Sequence, residues 1–269
     1  MTAEFFPVIL ALLAAGLIAG FMAGLLGIGG GVVTIPALYT VFEILGYSAD
    51  WRMHMAIATS LTIIIATNIS SVRAHHKRGG VDWSIVKSWW LWLAIGALMG
   101  AGFAKQLKTE ELIYFFATLI ALLAIKMLLP IDKIKLGKQL PKGVLRYLSP
   151  SLIGFFSSVM GIGGGSFSVP YLTLYGVPIH RAVGTAALAG LVISVVGGVG
   201  FIITGFSVEG LPAGNLGFIN MPAALIVALA SVIMAPVGAM AAHKLSKRML
   251  SIIFGGFLVM AAVRLLTAL

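Results

Sequence analysis

The chain has 269 residues, 60% of them hydrophobic and only 10% charged, with a mean hydropathy of +1.08. Soluble domains carry about 25% charged residues, and transmembrane barrels alternate polar and apolar positions, so the long unbroken apolar runs exclude both classes. There is no cysteine, which excludes disulfides, thiolate metal sites and cysteine catalysis, and the net charge of +10 sits in short loops between apolar runs, as orienting charges of a membrane protein do and a nucleic-acid surface does not.

The N-terminal stretch "MTAEFFPVILALLAAGLIAG" has no basic n-region. It reads as the first membrane segment and not as a cleavable signal peptide. Apolar sequence continues to residue 46 but is interrupted by "GIGGG" at 27–31. The next apolar run, 55–72, is bounded by "RAHHKRGG" at 73–80, with Arg73, Lys77 and Arg78. Two further spans fit before residue 132, and Trp83, Trp89, Trp90 and Trp92 read as an interfacial belt. A basic linker, 131–146, follows, with Lys133, Lys135, Lys138, Lys142 and Arg146. Residues 148–178 hold a second "GIGGG" at 161–165 near their middle. Then come a span over 182–203, a loop 204–220 free of Lys and Arg, and two last spans around the basic "HKLSKR" at 243–248.

The chain is an internal repeat. Residues 27–39 align with 161–173 at an offset of 134, with seven of thirteen positions identical, Pro36 and Pro170 among them. "HMAIATSL" from His54 aligns with "HRAVGTAA" from His180 at an offset of 126. "GAGFAKQLK" from Gly100 and "AIKMLL" from Ala124 align with "GAMAAHKLS" and "AVRLLT" at an offset of 138. Four blocks in one order divide the chain into a first membrane repeat, 1–130, and a second, 147–269, which form one transport domain.

By the positive-inside rule, loops 73–80, 130–146 and 243–248 are cytoplasmic, and both termini and loop 204–220 are external. An odd number of crossings must then separate residue 146 from residue 204. Since 182–203 supplies one, 148–178 must enter and return as a hairpin with the glycines at its turn. Residues 7–46 behave likewise. The expected fold is an all-α polytopic membrane protein of two inverted-topology repeats, each a Gly-broken helical hairpin plus three transmembrane helices. Inverted repeats are a hallmark of secondary transporters.

Paired Gly-interrupted segments point to a transporter binding site. The first N–H groups after each break lack intrahelical acceptors and lie at the positive end of the helix dipole. Glycine lets a ligand approach the backbone. The candidate substrate-binding residues are therefore Gly29, Gly30, Gly31, Val32, Val33 and Thr34 in the first half, with Gly163, Gly164, Gly165, Ser166, Phe167 and Ser168 in the second. The alternative is close packing of small residues. Neither motif completes a dinucleotide fingerprint or a P-loop. Thr59, Ser60 and Thr185, one to two turns past His54 and His180, are candidate hydroxyl ligands, or back-bonded helix residues. His54, His180, Arg181 and Asn68 are candidates for gating or coupling. For the histidines the alternative is an interfacial place, for Arg181 a positive-inside anchor. None of the eight acidic residues falls mid-span, which disfavours a cation pump and suits an anionic substrate. No metal or cofactor is expected, and His75-His76 alone is weak evidence for a metal.

"GLLGIGGGVVTIPAL", "MAIATSL", "RGGVDW", "MGIGGGSFSVPYL" and "HRAVGTAAL" resemble the sulfite exporter TauE/SafE family over essentially the whole chain. The resemblance implies a bacterial or archaeal inner-membrane exporter of small sulfur-containing anions, such as sulfite or sulfoacetate, driven by an ion gradient. The proton is a candidate coupling ion because sulfite is partly protonated near neutral pH. The expected partners are the anion and the lipid bilayer. An anion channel with uncoupled flux, or a carrier of another small oxyanion or carboxylate, is the alternative. No Ser-His-Asp set, H-E-x-x-H helix or paired intramembrane aspartates suggests an enzyme.

Overall fold

The structure is a computed structural model that describes residues 2–26, 30–128, 136–137, 139–242 and 247–267. Residues 131–135 and 138 of the linker and 243–246 of the last basic loop therefore lie outside the described residues. Among these residues the chain forms ten helices and one two-stranded ribbon. The first five helices are α1 (Thr2–Leu26), α2 (Gly31–Ile44), α3 (Ala49–Lys77), α4 (Trp83–Gln106) and α5 (Thr109–Leu128). The second five are α6 (Leu145–Val159), α7 (Gly165–Leu174), α8 (Ile179–Gly205), α9 (Met221–Ala242) and α10 (Lys247–Leu266). Strands β1 (Asn215–Leu216) and β2 (Ile219–Asn220) pair antiparallel between α8 and α9. The two series correspond in order, α1 to α6 through α5 to α10.

Five helices are long and apolar enough to cross a membrane: Phe6–Gly24 within α1, then α3, α4, α8, and Met221–Gly238 within α9. The arms flanking the glycine breaks are unequal. The first arm of the first half, α1, has 25 residues, whereas α2, α6 and α7 have 14, 15 and 10. At 29 residues, α3 is about 43 Å long. It contains no Gly or Pro, carries Asp50 in its first turn and ends in His75, His76 and Lys77, so both ends complement the helix dipole. Pro178 is the residue before α8, where it starts a helix at no hydrogen-bond cost.

Helices of one half pack chiefly on helices of the other. α1 lies along α9 and α6 along α4, while α3 runs against α8 and α5 against α10. Small residues permit the first two contacts. A Cβ on Gly20 would collide with the Ser231 backbone, and a Cβ on its repeat mate Gly154 with the Leu93 carbonyl. Ser231 and Leu93 are themselves mates at the 138 offset. Gly16, Gly20 and Gly24 meet Val227, Ser231 and Ala235 in rising order, so α1 and α9 are parallel. α3 and α8 are antiparallel: Leu61 lies against Gly197, Asn68 against Gly190 and His75 against Gly184.

The main apolar core joins both halves, with Ile35, Leu38, Phe42, Met53, Leu61, Phe116, Ile162, Phe201 and Phe218 all buried. Large apolar side chains such as Phe6, Leu10, Trp90, Met99, Leu229 and Ile233 face outward. That is a membrane protein's distribution, in which lipid is as apolar as the interior.

Candidate functional site

Each glycine break ends in the same backbone conformation. Gly30 caps α2 at φ 75° and ψ −10°, and Gly164 caps α7 at φ 70° and ψ −24°. Both are left-handed, a region in which a side chain would be strained. The carbonyl of Gly30 accepts from the N–H groups of Val33 and Thr34, and that of Gly164 from Phe167 and Ser168. No side chain caps either helix. Gly29 lies outside the described residues.

The two breaks touch. A Cβ on Gly31 would stand 2.6 Å from the Gly161 carbonyl oxygen and 3.1 Å from the Ile162 Cα. Ser60 on α3 donates to that same Gly161 carbonyl at 3.0 Å. Gly163 packs beneath Gly190 of α8 and against Ile64 of α3. Gly30, Gly31, Val32, Val33, Thr34, Gly163, Gly164, Gly165, Ser166 and Ser168 are all buried, and Phe167 is half-buried.

Polar satisfaction differs between the halves. Thr34 Oγ1 donates to the Gly30 carbonyl at 2.8 Å, so that hydroxyl is committed to its own helix. The hydroxyl of its repeat mate Ser168 has no hydrogen-bond partner, and neither has that of Ser166, which stands where the first half has Val32. Asn68 Nδ2 and the hydroxyls of Ser157, Ser158 and Ser194 are also buried and unpartnered. Each such group costs about 1–3 kcal/mol if nothing compensates it, so their gathering around the second break marks a place built for something polar.

Thr59 and Thr185 occupy equivalent cross-repeat positions. Thr59 Oγ1 accepts from the Asn220 N–H at 3.0 Å, and Asn220 Oδ1 accepts from the Ala223 N–H at the start of α9. Thr185 Oγ1 accepts from the Asp82 N–H at 2.9 Å, and Asp82 Oδ1 accepts from the Ser84 N–H at the start of α4. Asp82 and Asn220 are mates at the 138 offset. Each threonine thus latches the helix cap of the opposite half, one near each end of α3.

The two histidines part company. His54 is wholly buried, its Nε2 donating to the Ala104 carbonyl at 2.9 Å and its ring stacked on Phe218. His180 is exposed at the opposite end. Arg181 pairs with Asp82 at 2.7 Å. The Asp82 carboxyl is held below its ordinary range by the Ser84 hydroxyl first, against some desolvation, with the Ile85 N–H and the Arg181 charge adding to it. Near the His54 end, a cavity of about 630 Å³ opens among Asp50, Trp51, Arg52, Lys105, Lys108 and Thr109. Sequence reasoning missed Ser157, Ser158 and Ser194. The 126 offset maps Asn68 onto Ser194 and was the available signal.

The sulfite exporter TauE/SafE family model matches residues 12–265. The chain belongs to the TauE/SafE family. Among its relatives, a probable membrane transporter protein of Haemophilus influenzae is 35% identical, covering 97% of this chain and 98% of its own. The probable membrane transporter protein YunE of Bacillus subtilis is 28% identical over 71% of this chain and 77% of its own. One from Methanocaldococcus jannaschii is 27% identical over 95% and 94%. No solved structure gives a significant match to this TauE/SafE chain.

Proposed function

We propose that this membrane protein is a secondary transporter, working as an exporter in a cell inner membrane, of a small sulfur-containing anion such as sulfite or an organosulfonate. The observation that carries the reading is the second glycine break. There an uncapped helix start, α7, coincides with unpartnered buried donors on α3, α7 and α8. Helix N-termini attract anions through free N–H groups and the dipole, and neutral hydroxyls and amides donate without adding charge. Gly29 to Thr34 form the matching element of the first half.

Alternating access between inverted repeats fits this arrangement. The antiparallel contact of α3 with its repeat mate α8 supports the inversion. So does the placement of residues 75–82 and 180–185 at one end, through the Arg181–Asp82 pair and the Asp82–Thr185 bond, and of residues 50–55, 104–109 and 207–220 at the other. The Thr59 and Thr185 latches are contacts that open in turn as each face is exposed. A binding screen of sulfite, thiosulfate, sulfate and sulfoacetate on purified protein tests the substrate class. Saturable binding of a sulfur oxyanion is expected; binding of none of them would remove the proposal.

A further inference from the structure

Asn68 and Ser194 are repeat mates on the two antiparallel helices α3 and α8. Both are buried, at 3% and 0% exposure, and the Asn68 Nδ2 and Ser194 Oγ lack partners. Both converge on one glycine of the second break. The position of a Cβ on Gly163 lies 3.2 Å from Asn68 Nδ2 and 3.4 Å from Ser194 Oγ. Their neighbours one turn earlier are mates too, Ile64 and Gly190, and both also touch Gly163. The antiparallel pair α3 and α8 therefore meets here, near the middle of both helices, with both polar mates against the same Gly163 position.

The face of α8 that carries Ser194 is small above and below it. Gly190 lies one turn before it and Gly197 one turn after, against the unpartnered Ser158 hydroxyl. Among the described residues, the three heavy atoms nearest the Gly163 Cβ position belong to Ile64, Asn68 and Ser194, none of them charged. A buried primary amide with free N–H bonds seeks an acceptor, and the start of α7, two residues past Gly163, favours negative charge.

We infer that Asn68 and Ser194 form the central clamp on the transported anion: Asn68 Nδ2 and the Ser194 hydroxyl, which converge on one face of the Gly163 turn, both donate to its oxygens. This deepens the transport reading and rests on it. The ligand class is a small oxyanion held by neutral donors and the helix dipole. The clamp belongs to the second break, because Thr34 in the first is already bonded to Gly30. Thr59 and Thr185, by contrast, hold the caps of α9 and α4.

The test is equilibrium binding of radiolabelled sulfite to purified protein, with melting temperature recorded for each variant. Asn68→Asp keeps the shape and replaces donors by a charged acceptor. Ser194→Ala removes one hydroxyl. Each is expected to weaken binding by roughly tenfold or more, the scale of one lost hydrogen bond, with melting within the wild-type range. If Asn68→Asp does not fold, Asn68→Ser, which copies the repeat mate, carries the same expectation of weakened binding. Wild-type affinity, or tighter binding, in a folded position-68 variant and in Ser194→Ala overturns the clamp while leaving the transport reading standing. Failure of the wild-type protein to bind any sulfur oxyanion overturns the transport reading, and the clamp with it.

Discussion

The backbone N–H of Asn220 donates to the hydroxyl of Thr59 at 3.0 Å, across the boundary between the two halves of the chain. Thr59 is fully buried, and Asn220 in turn caps α9. Replacing Thr59 by Val keeps the shape and leaves a buried N–H without its acceptor. The expected cost is about 1–3 kcal/mol, read as a lowered melting temperature in detergent. In the membrane the same change is expected to open one end, so that a cysteine at Met55, beneath Asn215, labels faster. Thr185→Val is the mirror experiment, expected to expose a cysteine at Ala182 and not at Met55. Labelling that rises equally at both positions in either variant would contradict separate latches.

Gly164 sits at φ 70°, and a Cβ there would come within 3.1 Å of the Gly190 Cα. Gly164→Ala is expected to destabilise by about 1–2 kcal/mol from the backbone alone. Gly198, in mid-α8 with nothing near its Cβ position, is the control. Alanine there is expected to be neutral or to stabilise by up to about 1 kcal/mol. Thermal unfolding of the two variants side by side checks the contrast.

Asp82 combines a helix cap with an ion pair to Arg181. Its folded carboxyl titrates below its ordinary value of 3.8. A depressed carboxylate contributes stability fully present above 3.8, lost as pH falls through the lower folded value. The Asp82 end is therefore expected to stay latched throughout the range above pH 4. Asp82→Asn copies the repeat mate Asn220, keeps the cap and loses the pair, so about 1 kcal/mol or less is expected for this exposed contact. Asp82→Ala loses the cap as well, worth about 1 kcal/mol more. Melting curves of both variants near pH 7 provide the comparison.

Much of this arrangement is written locally. GIGGG announces its own break because only glycine accepts the left-handed turn at Gly30 and Gly164. The Ala-x-x-Thr blocks after His54 and His180 mark equivalent buried threonines. What those threonines touch is not local: Asp82 and Asn220 lie about 100 and 160 residues away. Their docking depends on loops folding back over α3 and α8. The histidines look alike in sequence, yet His54 is buried under Phe218 in the 204–220 loop, and no equivalent covers His180. Ser194 was hidden by the apolar run "LVISVV" around it. It becomes visible only when the 126 offset is carried past the threonines to Asn68.

The proposed inversion of the two repeats carries an expectation about sidedness. Cysteines introduced at Lys142 and at Glu209, in an otherwise cysteine-free chain, are expected to label from opposite sides of intact cells. Lys142 should react only after permeabilisation, and Glu209 without it. Labelling of both from one side would remove the inverted repeat.

The most direct test of the whole account is sulfite flux in proteoliposomes, with and without an imposed proton gradient, in wild type and in Asn68→Asp. Saturable flux is expected, accelerated by the gradient and shifted by the substitution to roughly tenfold or higher sulfite concentrations while the protein remains folded. Sulfite flux indifferent to the gradient, and unchanged by the substitution, would contradict it.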